Sequence, residues 1–156
     1  RINYLLADRL VEAGRMGQKS GAGYYRYNPE TRAREEDPAV AEIIDATRAE
    51  LGITPRQVSE EEIVDRLTLA LANEGARILE EGIAQRSSDI DVVYCFGYGF
   101  PRFRGGPMHV AESRGIGFVV DTIARFHDSL SAENWVIAPL LARLAAQGGS
   151  LADIGR

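Results

Sequence analysis

Residues 59–82, SEEEIVDRLTLALANEGARILEEG from Ser59 to Gly82, are the stretch whose reading decides the fold. Ser59 is spaced to accept a hydrogen bond from the Glu62 amide while the Glu62 carboxylate satisfies a second free amide, a capping box that opens a helix at Glu60. Gly82 ends it. At about 100° per residue, Ile63, Leu67, Ala70, Leu71 and Ile78 share one face, and Leu69, Ala72, Ala76, Leu79 and Ile83 share the opposite one. Polar Arg66, Asn73, Arg77 and Glu80 fill the gap between them. A helix apolar on two sides lies between two layers. One layer is the rest of its own domain. The face of Leu69, Ala72, Ala76, Leu79 and Ile83 is the candidate contact for a partner outside the chain, and its exposure predicts self-association.

Helical punctuation continues on both sides. Toward the C-terminus, Ser88 with Asp91 opens a helix carrying Ile90, Val92, Val93, Tyr94 and Phe96, which runs into residues 97–107, GYGFPRFRGGP. Pro107 begins a short helix stopped at Gly115; Val119, Val120, Ile123 and Phe126 mark the next, and Pro139, Leu140, Leu141 and Leu144 one more. Toward the N-terminus, Asp37-Pro38 caps a helix with Val40, Ile43, Ile44, Thr47 and Leu51 on one stripe, stopped at Gly52. Ile2, Leu5, Leu6 and Val11 form a first helix ending at Gly14. That pattern starts at the first residues, so the chain reads as a piece of a longer polypeptide. Tyr24-Tyr25-Arg26-Tyr27 is the single extended candidate, and the charge-mixed residues 30–36 read as an exposed linker. The predicted fold class is all-α, with six or seven helices.

Composition narrows the function classes. The 156 residues are 45% hydrophobic and 26% charged, enough for one full domain and part of another. A net charge of −5 argues against a surface built for many phosphate contacts, and hence against nucleic acid. Apolar runs fall far short of the roughly 18 residues of a membrane span. Cys95 is the one cysteine, and His109 and His127 the two histidines, so neither a disulfide framework nor a metal centre is expected. An intracellular protein fits this composition.

Three groups of residues invite a chemical reading. Glu74 sits within the first apolar face of the long helix, where a buried carboxylate needs amide or arginine partners; a general base is the functional alternative. Arg102 and Arg104 flank Phe103 in the 97–107 loop and could clamp an anion. The structural alternative pairs them with helix carboxylates such as Glu74 or Glu112. Residues 17–23, GQKSGAG, contain Lys19 and mimic a phosphate cradle, yet no strand precedes them and no helix follows at once. Close packing of a returning chain explains their glycines better.

Residues 14–25, GRMGQKSGAGYY, together with Glu62-Ile63-Val64-Asp65-Arg66, Asn73-Glu74-Gly75 and the 97–107 loop, resemble the C-terminal part of the multifunctional fatty-acid β-oxidation enzymes. The resemblance implies a parent with an enoyl-CoA hydratase domain ahead of an NAD-dependent 3-hydroxyacyl-CoA dehydrogenase. It implies a Rossmann domain followed by two helical repeats of the 6-phosphogluconate-dehydrogenase C-terminal type. Residues 1–27 are then the tail of the first repeat, 28–36 a linker and 37–156 the second repeat. The histidine and glutamate that such enzymes use catalytically belong to the Rossmann domain. The catalytic first repeat carries asparagine where this chain has Asp65, and a carboxylate there would set negative charge beside the thioester oxygen that the amide assists. The resemblance therefore implies a non-catalytic copy with no catalytic, cofactor-binding or metal-binding residue of its own. NAD and acyl-CoA belong to the parent, and the missing hydratase, Rossmann and first-repeat domains are the partners. The location implied is bacterial cytoplasm, or the peroxisome in a eukaryote. The alternatives are a free-standing helical dimerisation module without CoA chemistry, and a small acyl-CoA-binding protein gripping phosphate through Arg102 and Arg104.

Overall fold

The computed structural model describes residues 4–155, which form two compact units, residues 4–57 and 58–155. The division falls between Gln57 and Val58, whereas the sequence reading places its linker at 28–36. Ile2 of the first predicted helix lies outside the described residues.

The first unit joins two helices through a small hairpin. Helix α1, Leu5–Glu12, stops before Gly14, and α2, Pro38–Glu50, starts on Asp37, whose carboxylate accepts the Ala39 amide at 3.1 Å. Leu10 of α1 and Val40 and Thr47 of α2 are buried. Arg15 ties the connection down by donating to the Gly23 carbonyl and to Asp37, both at 2.8 Å. Between the helices, β1 (Arg26–Tyr27) pairs antiparallel with β2 (Arg34–Glu35), Arg26 opposite Glu35. Residues 30–36, read as an exposed linker, are exposed, and two of them form β2. The Asn28 side chain accepts the amides of Glu30 and Thr31, both at 3.0 Å, and so folds the chain back on itself.

The second unit is helical throughout: α3 (Glu60–Glu80), α4 (Ser87–Gly97), α5 (Pro107–Arg114), α6 (Ile116–Ser129) and α7 (Pro139–Gln147). The fold is all-α, with seven α-helices among the described residues. As its sequence predicts, α3 opens with the Ser59 hydroxyl accepting the Glu62 amide at 3.1 Å. It packs on α5, α7 and α4.

The two faces of α3 are used in the opposite sense to the sequence expectation. Leu69, Ala72, Ala76 and Leu79 are buried, Leu69 only 1% exposed, in a core completed by Ile90, Met108, Val119, Ile123, Leu141 and Leu151. Only Ile83, beyond the helix, stays exposed. The exposed residues are instead Ile63, Ala70 and Leu67, the last 65% exposed. The small side chains Ala72, Gly75 and Ala76 allow α5 a close approach that a larger face would not, which is why this side is inside. The expected partner contact and self-association through that face therefore lose their surface.

Two internal devices fix the helices on α3. The buried Asn73 amide donates to the Val136 carbonyl and accepts from the Ala138 amide, each at 2.8 Å, clamping the entry to α7. Gly75 faces Met108, and a Cβ added there would collide with the Met108 thioether. Gly75→Leu is therefore expected to cost about 1–3 kcal/mol by overpacking, read as a lower denaturation midpoint. An unchanged midpoint would mean that α3 and α5 are not in this contact.

Candidate functional site

The 97–107 loop is built from both its ends. The Tyr94 carbonyl accepts the amides of Tyr98 and Phe100, at 3.3 and 2.9 Å, and the Tyr94 ring lies against the rings of both. Arg102–Arg104 make one 3-10 turn, and α5 then begins at Pro107. The spacing of Ser88 and Asp91 places Asp91 at the start of α4. The structure gives that task to Asp89, which accepts the Arg86 amide at 3.0 Å. Asp91 instead reaches across to α5 and accepts the Met108 and His109 amides at 2.8 and 3.1 Å. A proline-started helix preceded by glycine has no side chain of its own to cap it, and Asp91 supplies that cap from the neighbouring helix.

Burial pushes the Asp91 carboxyl above its ordinary 3.8, while the two amides and His109 pull it back. A folded-state value raised above the unfolded one gives a stability contribution present at low pH and lost as pH rises through the folded value. Measured against Asp91→Asn, the natural protein should therefore gain relative stability as pH falls from neutral toward 3.8. Denaturation midpoints of both proteins across that range check the sign. A gap that moves in favour of the natural protein with rising pH would contradict it.

The expected carboxylate partners of the loop arginines are absent among the described residues. Arg102 lies over the Phe96 ring, 4.5 Å from its centroid, and Arg104 over Phe103 at 5.6 Å. Glu74 corrects its own prediction too: its side chain is 61% exposed and pairs with Arg77 at 3.1 Å. It lies on the solvent side because the opposite face of α3 is the buried one. Glu112, the other proposed partner, accepts the Leu151 amide at 2.8 Å. Cys95 is buried, as a small apolar residue of α4.

The buried carboxylate of α3 is Asp65, 5% exposed. Arg114, at the end of α5, engages both of its oxygens, at 2.7 and 3.2 Å, and lies over the Phe118 ring at 4.3 Å. Glu61 adds a second carboxylate at 3.6 Å from Arg114. Sequence reasoning singled out Asp65 but not Arg114, whose only local signal was a cation in the last turn of a short helix. With both oxygens engaged by a guanidinium, Asp65 has no amide to offer a substrate carbonyl and acts as a strut between α3 and α5.

Residues 17–23 turn back on themselves. The Gly17 amide donates to Ala22, Ser20 to Gly17, Gly21 to Gln18 and Gly23 to Tyr25, all carbonyls within or beside the loop. The Ser20 hydroxyl accepts the Met16 amide at 3.1 Å. These donors are spent internally, and a Cβ at Gly23 would press on the Gly17 backbone. The glycines at this turn serve close packing of the returning chain.

Residues 63–151, more than half of the chain, match the family model described as 3-hydroxyacyl-CoA dehydrogenase, C-terminal domain. The chain belongs to this family. It is 41% identical over 145 residues to the "Peroxisomal bifunctional enzyme" of Danio rerio, covering 92% of this chain and 20% of that protein. The enzyme of the same name from Homo sapiens is 42% identical over 78% of this chain and 17% of its own length. "Fatty acid oxidation complex subunit alpha" of Pseudomonas entomophila (strain L48) is 34% identical over 78% of this chain and 17% of its own. The chain thus spans about a fifth or less of these relatives. The dehydrogenase part of multifunctional enzyme 1 from C. elegans shares the fold, with a TM-score of 0.64 at 22% identity over 88% of this chain and 32% of that one. No helix among the described residues is long and apolar enough to cross a membrane.

Proposed function

We propose that the chain is the second C-terminal helical repeat, with the end of the first, of an NAD-dependent 3-hydroxyacyl-CoA dehydrogenase whose parent polypeptide also carries enoyl-CoA hydratase activity in fatty-acid β-oxidation. Its role there is to support assembly and leave the chemistry to other domains. In this reading residues 1–27 close the first repeat, 28–36 link, and 37–156 form the second, of which α2 is the part that shares a unit with α1. The parent works in the cytoplasm of a bacterium or the peroxisome of a eukaryote.

The observation that carries the reading is the Asp65–Arg114 pair. At the position where the resemblance implies a substrate-assisting asparagine in the catalytic repeat, the side chain here is a buried carboxylate committed to an arginine. An acyl thioester oxygen developing negative charge would meet no donor from Asp65. The family assignment supports the same division of labour: NAD and acyl-CoA bind elsewhere in the parent. NAD-linked oxidation of a 3-hydroxyacyl-CoA tests it, assayed with the full-length protein and with the 156-residue chain. Turnover by the first and none by the second is the expected result. Turnover by the chain alone would overturn it.

A further inference from the structure

Beside Asp91, a cleft of about 430 Å³ opens between α4 and the loop, bordered by Val92, Cys95, Phe96, Arg102, Gly105 and His109. Its volume lies within the about 300–1,000 Å³ of clefts that take a ligand or an anchoring side chain. Large apolar side chains stay exposed on its border and in the adjoining loop. Val92 and Phe96 are more than half exposed, as is Tyr98 in the loop, and Phe103 is 86% exposed. Both loop arginines stand here on aromatic rings with no carboxylate in ion-pair range among the described residues, although acidic residues outnumber basic ones 23 to 18.

We infer that this cleft and its rim seat a protein face from elsewhere in the parent polypeptide, one that inserts an apolar side chain into the cleft and sets carboxylates against Arg102 and Arg104. The inference rests on the reading of the chain as part of a larger enzyme. Aromatic residues and arginine around a pocket are the composition of an energetically dominant contact, whereas scattered exposed apolar residues are not. Charge decides the occupant. A second copy paired through the same patch would bring Arg102 and Arg104 of one copy against those of the other, and like charges at short range oppose such pairing. Carboxylates on a different surface would meet the unpaired guanidinium groups with the opposite sign. Four-fifths or more of the length of these relatives lies outside the match, which leaves room for such a surface in a parent polypeptide.

The test uses the full-length natural gene product. Its intact mass comes first: a product no longer than this chain would refute the parent reading, and this inference with it. In a longer product, Phe103 is replaced by a photo-crosslinking p-benzoylphenylalanine and the linked peptides are sequenced by mass spectrometry. The expected link is within one polypeptide, to a peptide outside these 156 residues that bears Asp or Glu. The double variant Arg102→Glu/Arg104→Glu, both surface changes, should cut the yield of that link about fivefold or more. A link to the same loop of a second copy, no protein link at all, or a yield indifferent to the charge reversal would overturn the inference while leaving the parent reading intact.

Discussion

Replacing Arg114 with alanine is expected to destabilise the 58–155 unit by about 3–5 kcal/mol, the usual cost of stranding one member of a buried ion pair. Asp65 is the reason for the size of the effect. At 5% exposure its carboxylate cannot turn to water, and Arg114 supplies two hydrogen bonds at 2.7 and 3.2 Å. The variant also loses the guanidinium over Phe118. Asp65→Ala should cost less than Arg114→Ala, because the arginine side chain is 30% exposed and keeps Glu61 nearby. Denaturation of both single variants and the double variant gives the coupling energy. A double variant no worse than Arg114→Ala is the expected outcome, and additive losses would show that the two groups do not act as a pair.

Gly106→Ala should be the most damaging single change in the loop, at about 2–4 kcal/mol. Gly106 has φ of 108°, a conformation that costs an L side chain about 1–3 kcal/mol. Its added Cβ would also fall on the Asp91 carboxylate and displace the cap of α5, adding about 1 kcal/mol. Gly97→Ala is the internal control. No neighbouring atom lies within 4 Å of its added Cβ, and as the last residue of α4 it gains up to about 1 kcal/mol of helix propensity. Thermal unfolding of the two variants should move in opposite directions. Equal effects would mean that loop glycine as such, and not the Asp91 contact, sets the stability.

Helix positions were legible because their punctuation is local: Ser59 before Glu62, Asp37 before Pro38, and Pro107 and Pro139 at helix starts all lie within a few residues of what they cap. The hairpin was missed for want of length, since β1 and β2 have two residues each and the deciding signal is the Asn28 turn. What sequence could not settle was which apolar face of α3 turns inward. A helical wheel shows both faces equally, and the choice depends on α5 and α7, whose approach needs Ala72, Gly75 and Ala76. The run of small residues around buried Asn73 was the available signal. Once the faces are exchanged, Glu74 becomes a surface residue and Asp65 the buried one. The partners of Asp65 and Asp91 lie 49 and about 17 residues further along the chain, and no local spacing connects them.

In the proposed function this repeat supports assembly and leaves the chemistry to other domains. The test is kcat for NAD-linked 3-hydroxyacyl-CoA oxidation by the full-length gene product carrying Asp65→Asn, expressed per folded molecule. Unchanged turnover, within about twofold, is the expected result, because the Asp65 carboxylate is buried and engaged by Arg114 through both oxygens. A change of about tenfold or more in either direction, with the fold intact, would place Asp65 in the active machinery and contradict the account.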